Sequence, residues 1–574
     1  MKPGPRIALL MALLSIVYAA AMFRGLECHA AYAGCAYQTL YPQSFPGDAF
    51  MPAHRPYMLS FYYYPLVKMA GPLWLDDRFT FVLFVGMAVL CLIALDKTAR
   101  RMGASHWMER AAVLGFVLLE HRFFINHVLL VDNYGFNGTA LGGAAALWIL
   151  YGALAGWGFS RQIPLIVLGL GISLKNAWLP SLIACFFLWK DRLGPAAKRR
   201  ILLASTAAAV GGVVLYYAAL RPAHGTDVAL FDYLAKYIDG SEANPFLYPL
   251  WSNVFFAGFC LLAFLLRDLP KELLGKVRGI AVIGLLAWGI GGLYLSCAPD
   301  LLKVPYLVPT DVRRALRWPL YVLFVALGVS LLKQFQQAPS GRAARWIGLS
   351  FFALYFLHEQ FRWNLVVLTL LLLFCLGWRY RKVPWQKLST RRRLSLLAVP
   401  VVAGTLSLYA VGAIHHRRQA LAHLIRTGII GDNVSAQWVG INEYLREKTP
   451  TSATVLAFSL EDADRKPAPL HFDASLRTRS GRTMPWGYAA AFYVDYPKLQ
   501  WWGGVNRRME ELAAAWDRED LAGVAQRLAG FGPPDVLVIP TVKSGWAEKG
   551  ASELGYRVDA KIGEFTLFRH DDRF

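Results

Sequence analysis

The sequence predicts a polytopic α-helical membrane protein followed by an α/β domain outside the bilayer, and three observations lead there. Hydrophobic residues fill 56% of the 574 positions, charged residues only 17%, and mean hydropathy is +0.37, a balance foreign to a soluble chain that needs a polar surface. Apolar runs long enough to cross hydrocarbon as helices recur through residues 1–413. Residues 414–574 lack such runs and alternate helix-like with strand-like patterns.

Taken in order, residues 1–20 set Lys2 and Arg6 ahead of an apolar stretch. That resembles a signal sequence, but many later spans also need insertion and no clean small-x-small cleavage site followed by a soluble domain is visible, so it reads as a retained first span. Spans are predicted near 7–22, 79–95, 111–130, 139–158, 201–220, 250–266, 279–296, 319–333, 346–358, 364–378 and 394–413. Residues 163–189 are interrupted by Gly169, Gly171, Lys175, Asn176 and Pro180, as two short segments meeting at a break would be.

Charge parity decides how that stretch counts. The net charge of +22 is read as cytoplasmic loop charge under the positive-inside rule, not as a nucleic-acid footprint. Basic loops 96–110, 190–200, 267–278, 333–345 and 379–393 all face the cytoplasm only if 163–189 crosses twice. About thirteen spans result. The first loop (about 23–78), the turns at Asp132 and Lys175, residues 221–248, 298–318 and 358–364, and the tail then share the opposite, periplasmic side.

In the tail, 438–448 reads as an amphipathic helix stopped by Thr449-Pro450, and 453–458 as a strand. Residues 507–528 read as helical, 535–540 as a buried strand and 565–569 as a final edge strand. The expected organisation is a transmembrane domain over 1–413, carrying catalytic external loops, and a small α/β domain over 414–574. Of seven cysteines, only Cys28 and Cys35 share a polar loop; a disulfide and two free thiols are equally open there.

Candidate functional residues cluster on the external side. Pro46 and Gly47 favour a tight turn presenting Asp48, which suits a general base or a self-bonded Asx turn. Glu27, almost directly behind the first span, is either a second candidate base or a solvated interfacial carboxylate. Asp76-Asp77-Arg78 reads as the cap of the second span. Asp132 and Asn133, with His54 of the first loop, are nominated to assist an acceptor or a metal; the alternative is a turn that satisfies its own backbone.

The run Asp311-Val312-Arg313-Arg314-Ala315-Leu316-Arg317 departs most from the charge rule. Helical spacing puts its three arginines on neighbouring positions, and guanidinium forks bind phosphate. Anionic lipid headgroups are the competing partner. Lys175 and Arg362, also external and beside apolar segments, complete the proposed cationic pocket. Walker, dinucleotide, nucleophile-elbow and zinc motifs do not occur.

The number of spans, an acidic first external loop, external arginines and an α/β tail together resemble the GT-C superfamily of membrane glycosyltransferases. Tyr41-Pro42 with Phe45-Pro46-Gly47-Asp48-Ala49-Phe50, and 444–450 followed by Ala453-Thr454-Val455, resemble a bacterial branch of it. Arg477, Arg479, Arg482 and residues 501–508 are similar to that branch's arginine-bearing external domain. The resemblance implies inverting transfer of a sugar from a polyprenyl-phosphate donor in the membrane to a glycan, lipid or protein acceptor, on the periplasmic face of a bacterial inner membrane. It implies a base role for Asp48 or Glu27, and phosphate binding by Arg313, Arg314, Arg317, Lys175 and Arg362. A divalent metal, Mg or Mn, would enter through Asp132, although some GT-C enzymes need none. A flippase of lipid-linked saccharides also fits the spans and the broken helix. An O-antigen ligase or polymerase would carry its large external region between spans.

Overall fold

The computed structural model describes residues 5–25, 36–43, 63–119, 138–192, 194–197, 250–297, 312–337, 417–428, 433–457, 520–531, 533–541 and 544–571, and positions 136, 246, 389, 392, 402–403, 405–406, 410, 430, 480, 482, 507–508, 511–512, 514–515 and 518. The chain divides into two compact units. One comprises Met1–Phe23, Val82–Ala219 and Gly240–Arg418; the other comprises Arg24–Phe81, Leu220–Asp239 and Gln419–Phe574. The second unit thus takes in most of the first loop as well as the tail.

The helices are α1 (Pro5–Met22), α2 (Tyr63–Ala70), α3 (Asp77–Arg101), α4 (Trp107–Leu119), α5 (Gly138–Ala155), α6 (Phe159–Ile172) and α7 (Leu174–Arg192). They continue with α8 (Leu250–Leu265), α9 (Lys271–Cys297), α10 (Val312–Gln337), α11 (Arg417–Thr427) and α12 (Asn433–Lys448). Among the described residues, α1, α3 and α9 contain stretches long and apolar enough to cross a membrane, and shorter apolar helices accompany them. Leu9, Val82, Leu261 and Ile290 are large hydrophobic side chains exposed on these helices, which is the pattern of an integral membrane protein whose outer surface meets lipid. The predicted spans 201–220, 346–358 and 364–378 lie outside the described residues.

Small residues set the packing of the first unit. α5 is built from Gly-Thr-Ala-Leu-Gly-Gly-Ala-Ala-Ala and packs on α6 and α7. A Cβ at Gly142 would lie 2.3 Å from the Ser173 Cβ, and one at Gly143 would lie 2.4 Å from the Trp318 ring. Glycine permits this close approach, the usual solution where helices associate without a hydrophobic driving force.

The stretch 163–189 is two helices. α6 ends at Ile172, Ser173 is extended at φ −157° and ψ 100°, and α7 begins at Leu174. Gln162 Nε2 donates to the Ile149 carbonyl at 2.9 Å, while Gly169 approaches Ile149 and Ala145. α6 therefore runs antiparallel to α5, and α7 turns back alongside it.

The basic loops meet at one end of this unit. Lys333 Nζ donates to the carbonyls of Met102 (3.4 Å) and Asp268 (2.9 Å). Lys276 Nζ lies 3.7 Å from the Asp191 carboxylate, and Arg101 lies 3.7 Å from Glu272. Arg192 donates to the Gly156 carbonyl at 2.8 Å. Segments predicted from charge to share one side are thus joined directly.

In the second unit, β1 (Val455–Ala457), α13 (Leu521–Phe531), β2 (Val536–Pro540), α14 (Ser544–Glu553), β3 (Tyr556–Ile562) and β4 (Phe565–His570) build a sheet of order β1-β2-β4-β3. β1 and β2 are parallel; β4 is antiparallel to both neighbours. Val455, Val536, Val538, Phe565 and Leu567 pack with Ile441 and Leu445 of α12 into a core. The predicted final edge strand is corrected here. β4 is interior, and the edge is β3, whose Tyr-Arg-Val-Asp-Ala-Lys-Ile alternation carries a legible period of two.

Candidate functional site

The polar node of the first unit lies where α7 and α10 begin. Trp318 Nε1 donates to Asn176 Oδ1 at 3.2 Å, and Asn176 Nδ2 reaches Ser173 Oγ at 3.4 Å. Asn176 and Trp318 are both fully buried, and Tyr321 stacks on Trp318 with ring centroids 5.9 Å apart. The helical ladder is interrupted in both helices at this level. Pro180 cannot donate to the Asn176 carbonyl, nor Pro319 to that of Ala315.

This hydrogen bond brings together two of the predicted cationic segments. Lys175 is the second residue of α7, while Arg313 and Arg314 lie in the first turn of α10 and Arg317 in the second. Arg317 is only 2% exposed and Arg314 is partly buried. From Asn176 to Arg192 and from Trp318 to Lys333, each helix rises about 22 to 24 Å to the end where the basic loops join. The node therefore occupies the opposite end of the unit from those loops.

Buried cations elsewhere among the described residues are held at helix ends or against a carboxylate. Lys276, 8% exposed, donates to the carbonyls of Ala153 and Leu154 at the end of α5. Arg110 is buried against Asp96 at 3.1 Å. Arg482, 3% exposed, donates to the carbonyls of Leu445 (3.1 Å), Arg446 (3.0 Å) and Thr449 (2.6 Å) at the end of α12, to Ser480 O, and to Thr449 Oγ1 at 2.9 Å. Partly exposed cations repeat the pattern, with Arg278 on Phe264 O and Arg417 on Phe23 O. Helix ends present carbonyls and negative potential, so cations settle there. The arginines of α10 sit instead at a helix start, where the backbone presents N–H groups and positive potential. A region of like sign built from helix dipoles and guanidinium groups suits an anion.

Arg482 belongs to the fold. Its donors are spent on helix-end carbonyls, and burial lowers its pKa. The first-loop residue Tyr37 lies within its electrostatic reach. Burial and Tyr41 raise the Tyr37 pKa, and Arg446 and Arg482 pull against them.

Asp76 caps α3, accepting the Arg78 N–H at 2.8 Å and pairing with the Arg78 guanidinium at 2.7 Å. Asp77 has a role missed in the sequence. Its N–H donates to the Gly428 carbonyl at 2.8 Å, and its buried carboxylate accepts the Ile430 N–H at 2.9 Å, tying the end of the first loop to the start of the tail. Two consecutive aspartates where one caps the helix were the available signal.

Asp48, Glu27, His54, Asp132, Asn133, Arg362 and the pair Cys28 and Cys35 fall outside the described residues. Lys175 and Arg313 are placed on their helices by backbone alone. Among the described residues no three His, Cys, Asp or Glu side chains converge as metal ligands. Asn176 and Trp318 carry no signal of their own in the sequence beyond each directly following one of the candidate cations, Lys175 and Arg317, yet their bond joins the two segments.

The chain matches no family model and no curated protein. Among solved structures it is similar to ArnT from Cupriavidus metallidurans bound to undecaprenyl phosphate, with 13% identity and a TM-score of 0.44 over 98% of this chain and 97% of that one. A likeness at that score assigns no activity.

Proposed function

We propose that this chain is a GT-C-like membrane glycosyltransferase, taking a sugar from a polyprenyl-phosphate donor and passing it to a glycan, lipid or protein acceptor at the periplasmic face of the inner membrane. The observation that carries the reading is the Trp318–Asn176 bond, which pairs the helix starts bearing Lys175 and Arg313, Arg314 and Arg317. Two positive helix ends and up to four cations favour a phosphate that gains charge as it leaves.

In this reading Asp48, or Glu27, removes the proton from an acceptor hydroxyl. The hydroxyl oxygen attacks the anomeric carbon from the face opposite the phosphate, the carbon–oxygen bond to phosphate breaks, and polyprenyl phosphate departs as an anion held by the arginines. Where a divalent metal takes part, Asp132 is the residue to hold it, supplying further positive charge to the phosphate. The tail orients the acceptor.

The test is incubation of purified protein with a panel of radiolabelled polyprenyl-phosphate sugars, measuring transfer and donor hydrolysis. Asp48→Asn or Glu27→Gln should lower turnover by about 100-fold or more. Full activity in both variants removes the base assignment. The helix break at Ser173 favours a second reading, a transporter of lipid-linked saccharide; movement of intact donor across the bilayer without bond cleavage would establish it.

A further inference from the structure

We propose that the knuckle formed by α2 and the 3-10 turn Gly71–Leu75 is a lipid-docking surface, with Met69, Pro72 and Leu73 entering the bilayer interface and meeting acyl chains. Met69 is 82% and Leu73 58% exposed, and Pro72 and Lys68 are exposed beside them. Gly71 turns the chain between the two short helices at φ +59°, and nothing lies within 4 Å of a Cβ built there. The tip is therefore open, while Val67 and Trp74 face inward and are buried. A bare apolar tip of this kind in water would have an unfavourable hydration cost, which lipid removes.

Covalent and packed connections fix the depth of the tip. Leu75 precedes α3 by one residue, a reach of no more than about 7 Å. α3 has 25 residues, about 37 Å of helix against about 30 Å of hydrocarbon, so its first turn stands at the membrane surface. The 3-10 turn is fastened to that first turn. Asp76 N–H donates to the Leu73 carbonyl at 3.1 Å, and the Trp74 and Phe79 rings lie 6.4 Å apart. Apolar exposure continues along α3 at Val82. Lys68, at the end of α2, is placed to meet anionic headgroups while its stem stays with the apolar tip.

The experiment places the photo-crosslinker p-benzoylphenylalanine singly at Met69, Leu73 and, as an exposed control on β3, Arg557. The full-length protein is reconstituted in nanodiscs of phosphatidylethanolamine and phosphatidylglycerol, irradiated and analysed by mass spectrometry. Both tip positions should yield phospholipid adducts at least about tenfold above the control. Lipid adducts no higher than at Arg557, or adducts between two copies of the chain in place of lipid, overturn the proposal. Thermal unfolding of each variant verifies its fold, and two independent tip positions guard against one disturbed substitution.

Discussion

Arg317 in the first unit and Arg482 in the second are buried to nearly the same degree, at 2% and 3% exposure, yet they address opposite ends of a helix. Arg482 crosses to the end of α12 and donates to three of its terminal carbonyls and two further oxygens. Arg317 rises from the beginning of α10, with Arg313 and Arg314 one turn before it. The first placement satisfies backbone acceptors and stabilises the fold. The second adds positive charge to positive potential, an arrangement that favours a bound anion.

The sharpest way to break this distinction is to remove each guanidinium in turn. Arg482→Met strands buried carbonyls and should destabilise the second unit by roughly 3 kcal/mol, seen as early hydrogen exchange over residues 445–449 and a lower thermal midpoint. Arg317→Met tests the other placement. Its cost should appear in transfer, as a fall of about 100-fold in kcat/KM. Equal destabilisation by the two variants would show that Arg317 is also a structural residue.

The same contrast explains what was legible in the sequence. Charge parity separated the basic loops from residues 312–318 because hydrophobic length and Lys/Arg placement are local properties of a chain in a bilayer. It also anticipated the break between α6 and α7, marked by Gly169, Gly171 and Pro180. The pairing of Asn176 with Trp318 was not legible, since 142 residues separate them and no local pattern encodes a long-range contact. The structural role of Arg482 was not legible for a related reason. An arginine that caps a helix and one that binds phosphate are the same letter, and only the carbonyls around the side chain tell them apart. β4 comes last in the chain yet is not an edge, because the Gly563 turn folds β3 onto its outer side.

The alignment of the two helix starts offers a graded test of intermediate size. Gly143→Ala puts a methyl group 2.4 Å from the Trp318 ring, so α5 and α10 must separate at a cost of about 1 to 3 kcal/mol. Asn176→Ala removes the partner of Trp318 Nε1 together with the contact to Ser173 Oγ and should cost about 1 kcal/mol or more. If the node positions the phosphate site, both variants should raise KM for the donor by more than their small changes in thermal midpoint would suggest. Unchanged KM in both would detach the node from the donor.

The smallest expected effect lies in the second unit and tests whether its polar contacts are structural throughout. Tyr444 donates its hydroxyl to Asp559, which also pairs with Arg569 at 2.6 Å. Burial first, and then the bond and charge of Asp559, push the Tyr444 pKa up to about 12. The folded state thus prefers the protonated phenol, whose ordinary pKa is about 10. That stabilisation is fully present below pH 10 and is lost as pH rises toward the folded value. Tyr444→Phe removes both the bond and the titration and should cost at most about 1 kcal/mol near neutrality. The gap in thermal midpoint between parent and variant should therefore stay constant from pH 7 to 9 and close as the pH is taken from 10 toward 12. A gap that persists into strong alkali would mean that packing of the ring, and not the phenol proton, is what Tyr444 contributes.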